Sequence, residues 1–440
     1  MSPVVERIPS DERLPSSADV VIVGGGMVGC TTALYLASRG ISVALVEKGH
    51  VGCEQSSRNW GWCRLQNRDR HEMPLAVVSM GLWDKLASEV GEDVGFRRCG
   101  LRYATDDERA LAQWESWRPV AREFDVDTRM LSAAEAAEVV PETRRKWAGG
   151  LYSVNDGKAE PAIAAPRIAE GARQRRATIH QQCAARSLDL ANGRVVGVHT
   201  EKGYIRANAV LCAAGAWASR FLRPHGISFP QAGVRQTALR TKPTANVGEA
   251  LYCPDFAMTR RLDGSYTLAM SGRATIDITP QGLRYAREFM PQFRQRLKMV
   301  RLGIGRSFFS GPESLAALLT NNERIFERHR VLDPEPMHWL LRQVLENVRG
   351  TFPELANLEV DSMWGALVDC TPDAKPVISQ VDQVEGLFLA AGCSGHGFGL
   401  GPGVGFLAAQ LIANDTPCVD PEPFRLSRLV DGSKLEVGAL

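Results

Sequence analysis

One short segment near the N-terminus constrains the fold more than any other part of the chain. Residues 19–24 (DVVIVG) are mostly β-branched and apolar, which predicts a buried strand. A glycine-rich turn follows, then a helical stretch over residues 30–38 and a second strand over residues 42–46 that leads to Glu47. This order of strand, turn, helix, strand and acid is typical of a dinucleotide-binding unit, so we predict a Rossmann-like α/β domain.

The residues of the turn, residues 24–29 (GGGMVG), have separate roles in this interpretation. Gly24 permits the tight turn, Gly26 lets the backbone approach a pyrophosphate, and Gly29 lets the helix pack closely on the strand. The start of the helix presents free N–H groups and a positive dipole to the phosphates. Glu47 would accept hydrogen bonds from the ribose hydroxyls. The alternative is a glycine-rich turn that binds nothing, but the complete order of elements favours a dinucleotide.

A second glycine-rich loop near the C-terminus indicates which dinucleotide this is. Residues 386–391 (GLFLAA) predict a strand, residues 392–403 (GCSGHGFGLGPG) form the loop, and residues 404–412 predict a helix. Such a loop lets the backbone pass close to a planar ligand, and the helix start presents donors to it. A reduced flavin is anionic near its pyrimidine edge, so this dipole would favour its reduction. The loop therefore favours a flavin over a nicotinamide.

These two ends and the middle of the chain resemble the D-amino-acid-oxidase-like (DAO) superfamily of flavoenzymes. The middle match comprises residues 159–161 (AEP), 183–186 (CAAR), 193–198 (GRVVGV), 209–217 (AVLCAAGAW) and 367–378 (LVDCTPDAKPVI). The bacterial L-amino-acid deaminases of that superfamily are more similar still, through residues 46–49 (VEKG), 54–58 (EQSSR), 200–203 (TEKG) and 363–366 (MWGA). We expect the chain to depart from them in lacking their apolar N-terminal anchor, and it has Trp62 in place of a glutamine.

The resemblance implies an FAD and the residues that hold it. These lie in the glycine turn, after the second strand, in the EQSSR segment and in the C-terminal loop: Gly24, Gly26, Met27, Val28, Gly29, Glu47, Lys48, Gln55, Ser56, Ser57, Arg58, Gly61, Ala185, Gly215, Trp217, Gly392, Gly395, His396, Gly397, Phe398, Gly399 and Leu400. Some sarcosine oxidases tether FAD through a cysteine, but Ala366 occupies that place here. We therefore predict non-covalent FAD.

The resemblance also implies two interleaved domains. We assign residues 1–95, 150–232 and 358–440 to the FAD-binding domain, and residues 96–149 and 233–357 to a mixed-sheet α+β substrate domain. Within the latter, residues 100–105 predict a strand, residues 132–135 a capping box, and residues 259–268 a hairpin with Asp-Gly at its turn. Residues 284–306 are rich in arginine with apolar residues at helical spacing, which predicts a basic amphipathic helix in an insertion around residues 281–345. That helix would pack on the substrate domain or contact a membrane surface or partner.

Oxidation of a C–N bond by a flavin requires few protein groups. The protein must hold the substrate carboxylate, keep the amine neutral and exclude water. A bidentate arginine is the natural carboxylate ligand; the resemblance favours Arg260, and Arg273 is the second choice. Trp62, Gln236 and Trp364 are candidates for the pocket wall. His396 is expected to donate to the flavin edge, and no metal site is predicted.

We predict that the chain oxidises an L-amino acid, large and apolar or aromatic, to a 2-oxo acid and ammonia, with O2 reduced to hydrogen peroxide. The alternatives are D-amino acids or secondary (N-methyl) amino acids as substrates, or a flavin subunit that passes electrons to a partner protein. A net charge of +2 argues against a nucleic-acid partner. The apolar runs fall short of the roughly 18 residues of a membrane span, so we expect a soluble, cytoplasmic protein, and a homo-oligomer is left open.

Overall fold

The structure, a computed structural model, describes residues 3–297, 299–319 and 324–438, which form two large sheets and one small sheet. The first large sheet consists of β1 (Ser17–Val23), β2 (Val43–Val46), β9 (Thr178–His180), β10 (Ala185–Ala191), β11 (Arg194–Thr200), β12 (Gly203–Cys212), β20 (Val377–Gln380) and β21 (Leu387–Ala391). The second consists of β5 (Leu101–Thr105), β6 (Thr128–Leu131), β7 (Gly149–Ser153), β13 (Ala232–Thr241), β14 (Ala250–Cys253), β15 (Phe256–Arg260), β16 (Tyr266–Ala269), β17 (Ala274–Asp277), β18 (Val300–Gly303) and β19 (Val360–Cys370). The small sheet consists of β3 (Trp62–Cys63), β4 (Arg97–Arg98) and β8 (Gly157–Lys158).

The helices flank these sheets. They are α1 (Met27–Ala37), α2 (Gln55–Arg58), α3 (Met73–Val90), α4 (Glu108–Glu123), α5 (Ala133–Val139), α6 (Ala164–Gln174), α7 (Ala218–Leu222), α8 (Pro280–Arg284), α9 (Ala286–Arg296), α10 (Leu315–Leu319), α11 (Ile325–Arg328), α12 (His338–Thr351) and α13 (Gly401–Ala413).

The first sheet has a parallel centre in which β1 lies between β2 and β12, with β9 beyond β2 and β21 beside β12. Helix α1 packs against α6 and α13 on one face of this sheet, where Ile22, Leu34 and Leu407 share one apolar core. The opposite face carries a second core, which includes Val21 and Trp217. Because both faces of β1 and β2 are covered, their side chains are nearly all apolar, as the sequence indicated.

The second sheet is mixed and mostly antiparallel. Strand β13 pairs along its length with β19, and with β16 and β17 on its other edge. Helix α12 packs on this sheet through Leu341, Val344 and Val348, which belong to a third apolar core. Strand β19 is followed by a turn and β20 of the first sheet, so one short connection joins the two sheets. This connection brings both sheets to the cavity described below.

The fold class predicted from the sequence is confirmed: a Rossmann-like α/β unit is joined to a mixed-sheet α+β unit. The capping box is present, with Ser132 and Glu135 as its two members, and the hairpin forms from β15 and β16. Strand pairing puts β7 and β19 in the second sheet, although the ranges 150–232 and 358–440 were assigned to the FAD-binding domain. The division into domains stays a prediction.

The prediction of one basic helix over residues 284–306 is wrong in its extent. The chain forms α8 and α9, which are separated at Tyr285, and then the edge strand β18. Strand β18 pairs in parallel with β17, because this edge of the second sheet offers backbone partners that a helix would leave unused. Within the described residues, none of the helices has the length and apolarity that crossing a membrane requires.

Candidate functional site

A cavity of about 550 Å3 lies where the two sheets meet. The turn before α1, the segment from α2 to residue 68, and the loop between β21 and α13 line one side of it. Strands β13, β17 and β19 and helices α8 and α9 line the other side. The segment predicted as a basic helix therefore contributes directly to the cavity wall, through residues such as Phe289 and Phe293.

A smaller cavity of about 120 Å3 adjoins the first and shares Gly26, Ser56 and Gly215 with it. Its lining includes many of the residues predicted to hold FAD, among them Gly24, Gly26, Glu47, Lys48, Ala185, Gly215 and Trp217. The two adjoining spaces together form an elongated site that runs from the end of β2 to the loop before α13.

The glycine turn has the close contacts that the dinucleotide interpretation requires. Gly24 has a φ of +112°, and a Cβ there would lie 2.4 Å from the carbonyl oxygen of Ala213. A Cβ on Gly29 would lie 2.0 Å from the carbonyl oxygen of Gly24, so only glycine allows α1 to approach β1 this closely. Gly29 does not line either cavity, and its role is to hold the turn in place.

Glu47 organises the backbone on both sides of the smaller cavity. Its Oε2 accepts from the N–H of Gly25 at 2.7 Å, and its Oε1 accepts from the N–H of Gly49 at 2.6 Å. Burial is the largest influence on this carboxyl group and raises its pKa, while Lys48 and the two N–H donors oppose that shift. Both oxygens keep further lone pairs for ribose hydroxyls.

The EQSSR segment forms α2 and connects the glycine turn to β19. The Oγ of Ser56 accepts from the N–H of Met27 at 2.8 Å, and the amide of Gln55 donates to the carbonyl oxygen of Leu367. The buried guanidinium of Arg58 donates to the carbonyl oxygen of Gly365 at 2.9 Å and pairs with Asp333 at 3.2 Å. Ser57 lies outside both cavities and donates to the carbonyl oxygen of Glu54.

The loop before α13 presents backbone to the larger cavity through residues 393–399. Ser79 Oγ and Trp83 Nε1 hold the loop by donating to the carbonyl oxygen of Gly399 at 2.8 and 2.9 Å. His396 is buried with its Nδ1 3.0 Å from Oε2 of Glu72. Burial, followed by the charge of Arg68, lowers the pKa of His396 to about 4, so its imidazole is neutral at pH 7.

Three residues predicted at the FAD lie behind the cavity walls. A Cβ on Gly61 would meet the carbonyl oxygen of Ala159 at 2.7 Å, and one on Gly392 would meet Thr371 at 2.5 Å. Leu400 is buried at the start of α13 and belongs to the same apolar core as α1. These three residues support the loops that line the cavities and do not line them themselves.

The candidate substrate residues divide into two groups. Trp62, Gln236, Arg273 and His396 line the larger cavity. The indole Nε1 of Trp62 and the Oε1 of Gln236 are buried without a hydrogen-bond partner in the described part of the chain, so both are available to a bound molecule. Arg273 is exposed at the cavity edge.

The expected positions of Arg260 and Trp364 are corrected by the structure. The Arg260 guanidinium lies 5.6 Å from the centre of the Tyr266 ring and near the carbonyl oxygens of Thr244 and Ala245, away from the cavity. The second sheet reaches the cavity through β13, β17 and β19, whereas β15 contributes no residue to the described lining, so its Arg260 lies outside the cavity wall. Trp364 is buried and donates through Nε1 to the carbonyl oxygen of Arg58 at 3.0 Å, which supports α2 from behind.

Three cavity arginines were missed by the sequence interpretation. Arg64 and Arg68 follow Trp62 in the segment CRLQNR, and Arg296 ends α9. The arginine spacing after Trp62 was a signal that could have identified the first two. Arg296 comes from a distant part of the chain, so only the packing of α9 brings it to the cavity.

The residues present fit an FAD. Glycines stand at the points of close backbone approach, where neighbouring backbone atoms leave no space for a side chain at Gly24, Gly29 or Gly399. Gly26, Met27 and Ser56 at the start of α1 would hold the pyrophosphate, Glu47 the ribose, and the loop over residues 395–399 the flavin ring. The elongated shape of the two adjoining cavities also suits this long cofactor.

Comparisons with known proteins agree with this fit. A sequence model of the family described as DAO, FAD dependent oxidoreductase, matches residues 19–411. The solved L-amino acid deaminase from Proteus myxofaciens, in complex with anthranilate, superimposes with a TM-score of 0.90 at 28% identity, covering 97% of each chain. Glycine oxidase from Pseudomonas aeruginosa is 26% identical over 93% of this chain and 98% of its own length.

Other curated relatives are longer than this chain. The 4-methylaminobutanoate oxidase (formaldehyde-forming) of Paenarthrobacter nicotinovorans is 24% identical over 95% of this chain but only 46% of its own length. The chain spans less than half the length of this relative and of two mitochondrial sarcosine dehydrogenases that it also matches. The family match covers most of the chain and includes both glycine loops. The chain therefore belongs to the DAO family of FAD-dependent oxidoreductases.

Proposed function

We propose that the chain catalyses the oxidative deamination of L-amino acids, with O2 as the electron acceptor. An amino acid, O2 and water would give a 2-oxo acid, ammonia and hydrogen peroxide. The electron pair of the Cα–H bond would leave as a hydride, for which FAD supplies the acceptor chemistry, and the amine nitrogen would lose a proton. Water would then hydrolyse the resulting imine to the 2-oxo acid and ammonia. The observation that carries the proposal is an arginine-lined cavity beside the loop that would hold the flavin ring, with a neutral histidine in that loop.

Arg273 is our candidate for the substrate carboxylate. It lines the cavity, and it forms no ion pair within the described ranges. A guanidinium can bind a carboxylate through two parallel hydrogen bonds, which fixes the orientation of Cα as well as its position. The free Oε1 of Gln236 would accept a hydrogen bond from the substrate amine.

The substrate amine must reach the cavity in its neutral form. His396, with a pKa of about 4, is neutral at pH 7 and adds no positive charge beside the amine. Phe289, Met290 and Phe293 of α9 contribute an apolar wall that would help exclude water. Trp62 makes an edge contact with Trp60 at 5.2 Å between ring centres, and this aromatic wall supports a large substrate side chain.

The L-amino acid deaminase of Proteus myxofaciens, with its anthranilate complex, supports this proposal through its structural similarity over nearly the whole chain. The glycine oxidase of Pseudomonas aeruginosa supports the wider class of amino-acid oxidation. Secondary amines remain the second candidate, because sarcosine oxidase and dehydrogenase are also among the relatives.

The test measures peroxide production and anaerobic bleaching of FAD absorbance for paired L- and D-amino acids. Peroxide and bleaching with L-forms alone are expected. Bleaching without peroxide would indicate that a partner protein, and not O2, accepts the electrons. Bleaching only with N-methyl amino acids would indicate that the substrates are secondary and not primary amines. No bleaching with any amine would refute amino-acid oxidation.

Arg273→Gln and Arg260→Gln form a matched pair for the same assay, because the first lines the cavity and the second does not. The loss of one charged hydrogen-bond partner, about 1.5–3 kcal/mol, predicts a KM rise of roughly tenfold to a hundredfold for Arg273→Gln. Arg260→Gln is expected to leave KM unchanged. A raised KM for Arg260→Gln with an unchanged KM for Arg273→Gln would indicate that the substrate carboxylate binds at the β15–β16 hairpin.

A further inference from the structure

Two arginines on one short loop give the larger cavity an unusual charge. Arg64 and Arg68 follow Trp62 and β3, and both line the cavity. Arg68 is only 3% exposed, and its Nη1 is buried without a hydrogen-bond partner in the described residues. A buried guanidinium with a free nitrogen facing a cavity is costly unless an anion binds it, so this group points to a ligand.

The protein itself does not supply that anion. In the ranges that the structure describes, no carboxylate lies within ion-pair distance of Arg64 or Arg68. The buried carboxylates of Glu72 and Asp156 offset part of the charge of Arg68 from beyond ion-pair distance, and the oxygens of Glu72 face His396 at 3.0 and 3.3 Å. Burial, and after it the charge of Arg64, lowers the pKa of Arg68 to about 10, so Arg68 remains charged at pH 7.

The loop is held rigidly in the position that presents these arginines. The N–H of Leu65 donates to the buried carboxylate of Asp156 at 2.5 Å. Trp117 Nε1 donates to the carbonyl oxygen of Arg68 at 2.9 Å, and Thr128 donates to the side chain of Gln66 at 3.1 Å. Three partners from outside the loop therefore fix it, and such preorganisation is a property of binding sites more than of solvent-exposed arginines.

The two carboxylates that line the larger cavity, Asp277 and Asp369, form no ion pair with Arg64 or Arg68. Asp277 pairs with Arg235 at 3.0 Å and accepts from Ser307. Asp369 accepts from the N–H of Gly392, and burial raises its pKa to about 6. A substrate α-carboxylate held by Arg273 would satisfy one arginine, and Arg64 and Arg68 would still lack an anion.

We infer that the substrate carries a second carboxylate and that Arg64 and Arg68 bind it. The second carboxylate belongs either to the side chain of a dicarboxylic amino acid or to an N-carboxyalkyl substituent. The aromatic face of Trp62 would pack against the carbon chain that joins the two acid groups. This inference rests on the proposed function for the reaction at Cα, and it replaces the apolar or aromatic side chain that the sequence predicted.

The test compares charged substrates with uncharged isosteres by anaerobic reduction of the FAD-loaded enzyme. One arm uses L-glutamate against L-glutamine and L-aspartate against L-asparagine. The other arm uses N-(carboxymethyl)glycine against N-(carbamoylmethyl)glycine. A charged hydrogen bond predicts that the acid is bound about tenfold to a hundredfold more tightly than the amide in one of the two arms. The arm that shows the preference identifies where the second carboxylate lies.

Variants on the same loop make the comparison specific. Arg64→Gln and Arg68→Gln are expected to abolish the preference for the acid over the amide. Arg70→Gln is the matched control, because Arg70 is exposed and pairs with Glu123 at 2.7 Å. It removes the same charge from the same loop and is expected to keep the preference. If Arg68→Gln does not fold, the variant Arg64→Gln, at a half-buried position, is measured in its place.

The other outcomes separate this inference from the proposed function. Equal binding of acid and amide in both arms would overturn the inference while flavin reduction upholds the proposed function. A uniform loss of rate in the arginine variants, with a changed flavin spectrum, would assign the two arginines to the cofactor and also overturn it. Absence of flavin reduction with every amine would refute both.

Discussion

Replacement of Glu47 by glutamine tests the backbone organisation around the adenosine end of the site. Both oxygens of Glu47 accept from backbone N–H groups, Gly25 at 2.7 Å and Gly49 at 2.6 Å, so the group acts as an ionised acceptor. A glutamine of the same shape has one acceptor oxygen, and its NH2 group must face the other N–H. One charged hydrogen bond is then lost, about 1.5–3 kcal/mol, and one buried donor stays unsatisfied, about 1–3 kcal/mol.

Glu47→Gln should therefore lower the free energy of unfolding by about 2.5–6 kcal/mol and weaken FAD binding at least tenfold. The assay is urea unfolding of the FAD-loaded protein, combined with titration of released FAD by fluorescence. Glu12→Gln, an exposed change of the same kind, is the control and should leave both values unchanged. Equal stability of Glu47→Gln and the unchanged protein would show that Glu47 is protonated, since a neutral acid resembles the amide, and would refute the hydrogen-bond reasoning.

Three further predictions follow from single side chains. Gly29→Ala should lower the free energy of unfolding by about 1–3 kcal/mol or more and release FAD, because the new Cβ would lie 2.0 Å from the carbonyl oxygen of Gly24. Gly81→Ala in α3 is the control and should be tolerated, because Gly81 has open space around it. Equal thermal stability of the two variants would contradict this prediction. Burial raises the pKa of Glu313 to about 7, above its ordinary 4.5, so the native state retains this proton to higher pH than the unfolded chain does. The stability associated with this proton is fully present below pH 4.5 and is lost as pH rises from 4.5 through 7. Glu313→Gln should therefore gain about 3 kcal/mol relative to the unchanged protein above pH 7 and little at pH 4, and a pH-independent difference in urea midpoints would refute this. Because the pKa of His396 is about 4, flavin reduction should show no pH limb near 6.5, whereas a limb there that disappears in His396→Gln would contradict a neutral histidine.

Individual strands, helices and turns could be predicted from the sequence because each depends on residues that are close together in the chain. The strand, glycine turn and helix over β1 and α1 depend on residues that are neighbours in the chain, and so does the capping box at Ser132. The family resemblance added the residues around FAD, most of which line the two adjoining cavities. The C-terminal loop was identified for the same reason, since its glycines and the following helix are contiguous.

The substrate half of the site was decided by tertiary packing. Arg260 and Arg273 are thirteen positions apart, and the resemblance favoured Arg260. The structure instead places β15 outside the described cavity lining, and the loop after β16 leaves Arg273 at the cavity edge. Arg296 enters the wall because α8 packs against β13 and α9 packs beside α8. Sequence by itself determined the dinucleotide fold and the class of cofactor through contiguous patterns. Only the tertiary structure determined which arginines line the cavity, because the position of a strand in a sheet and the packing of distant helices depend on contacts between residues that are remote in the chain.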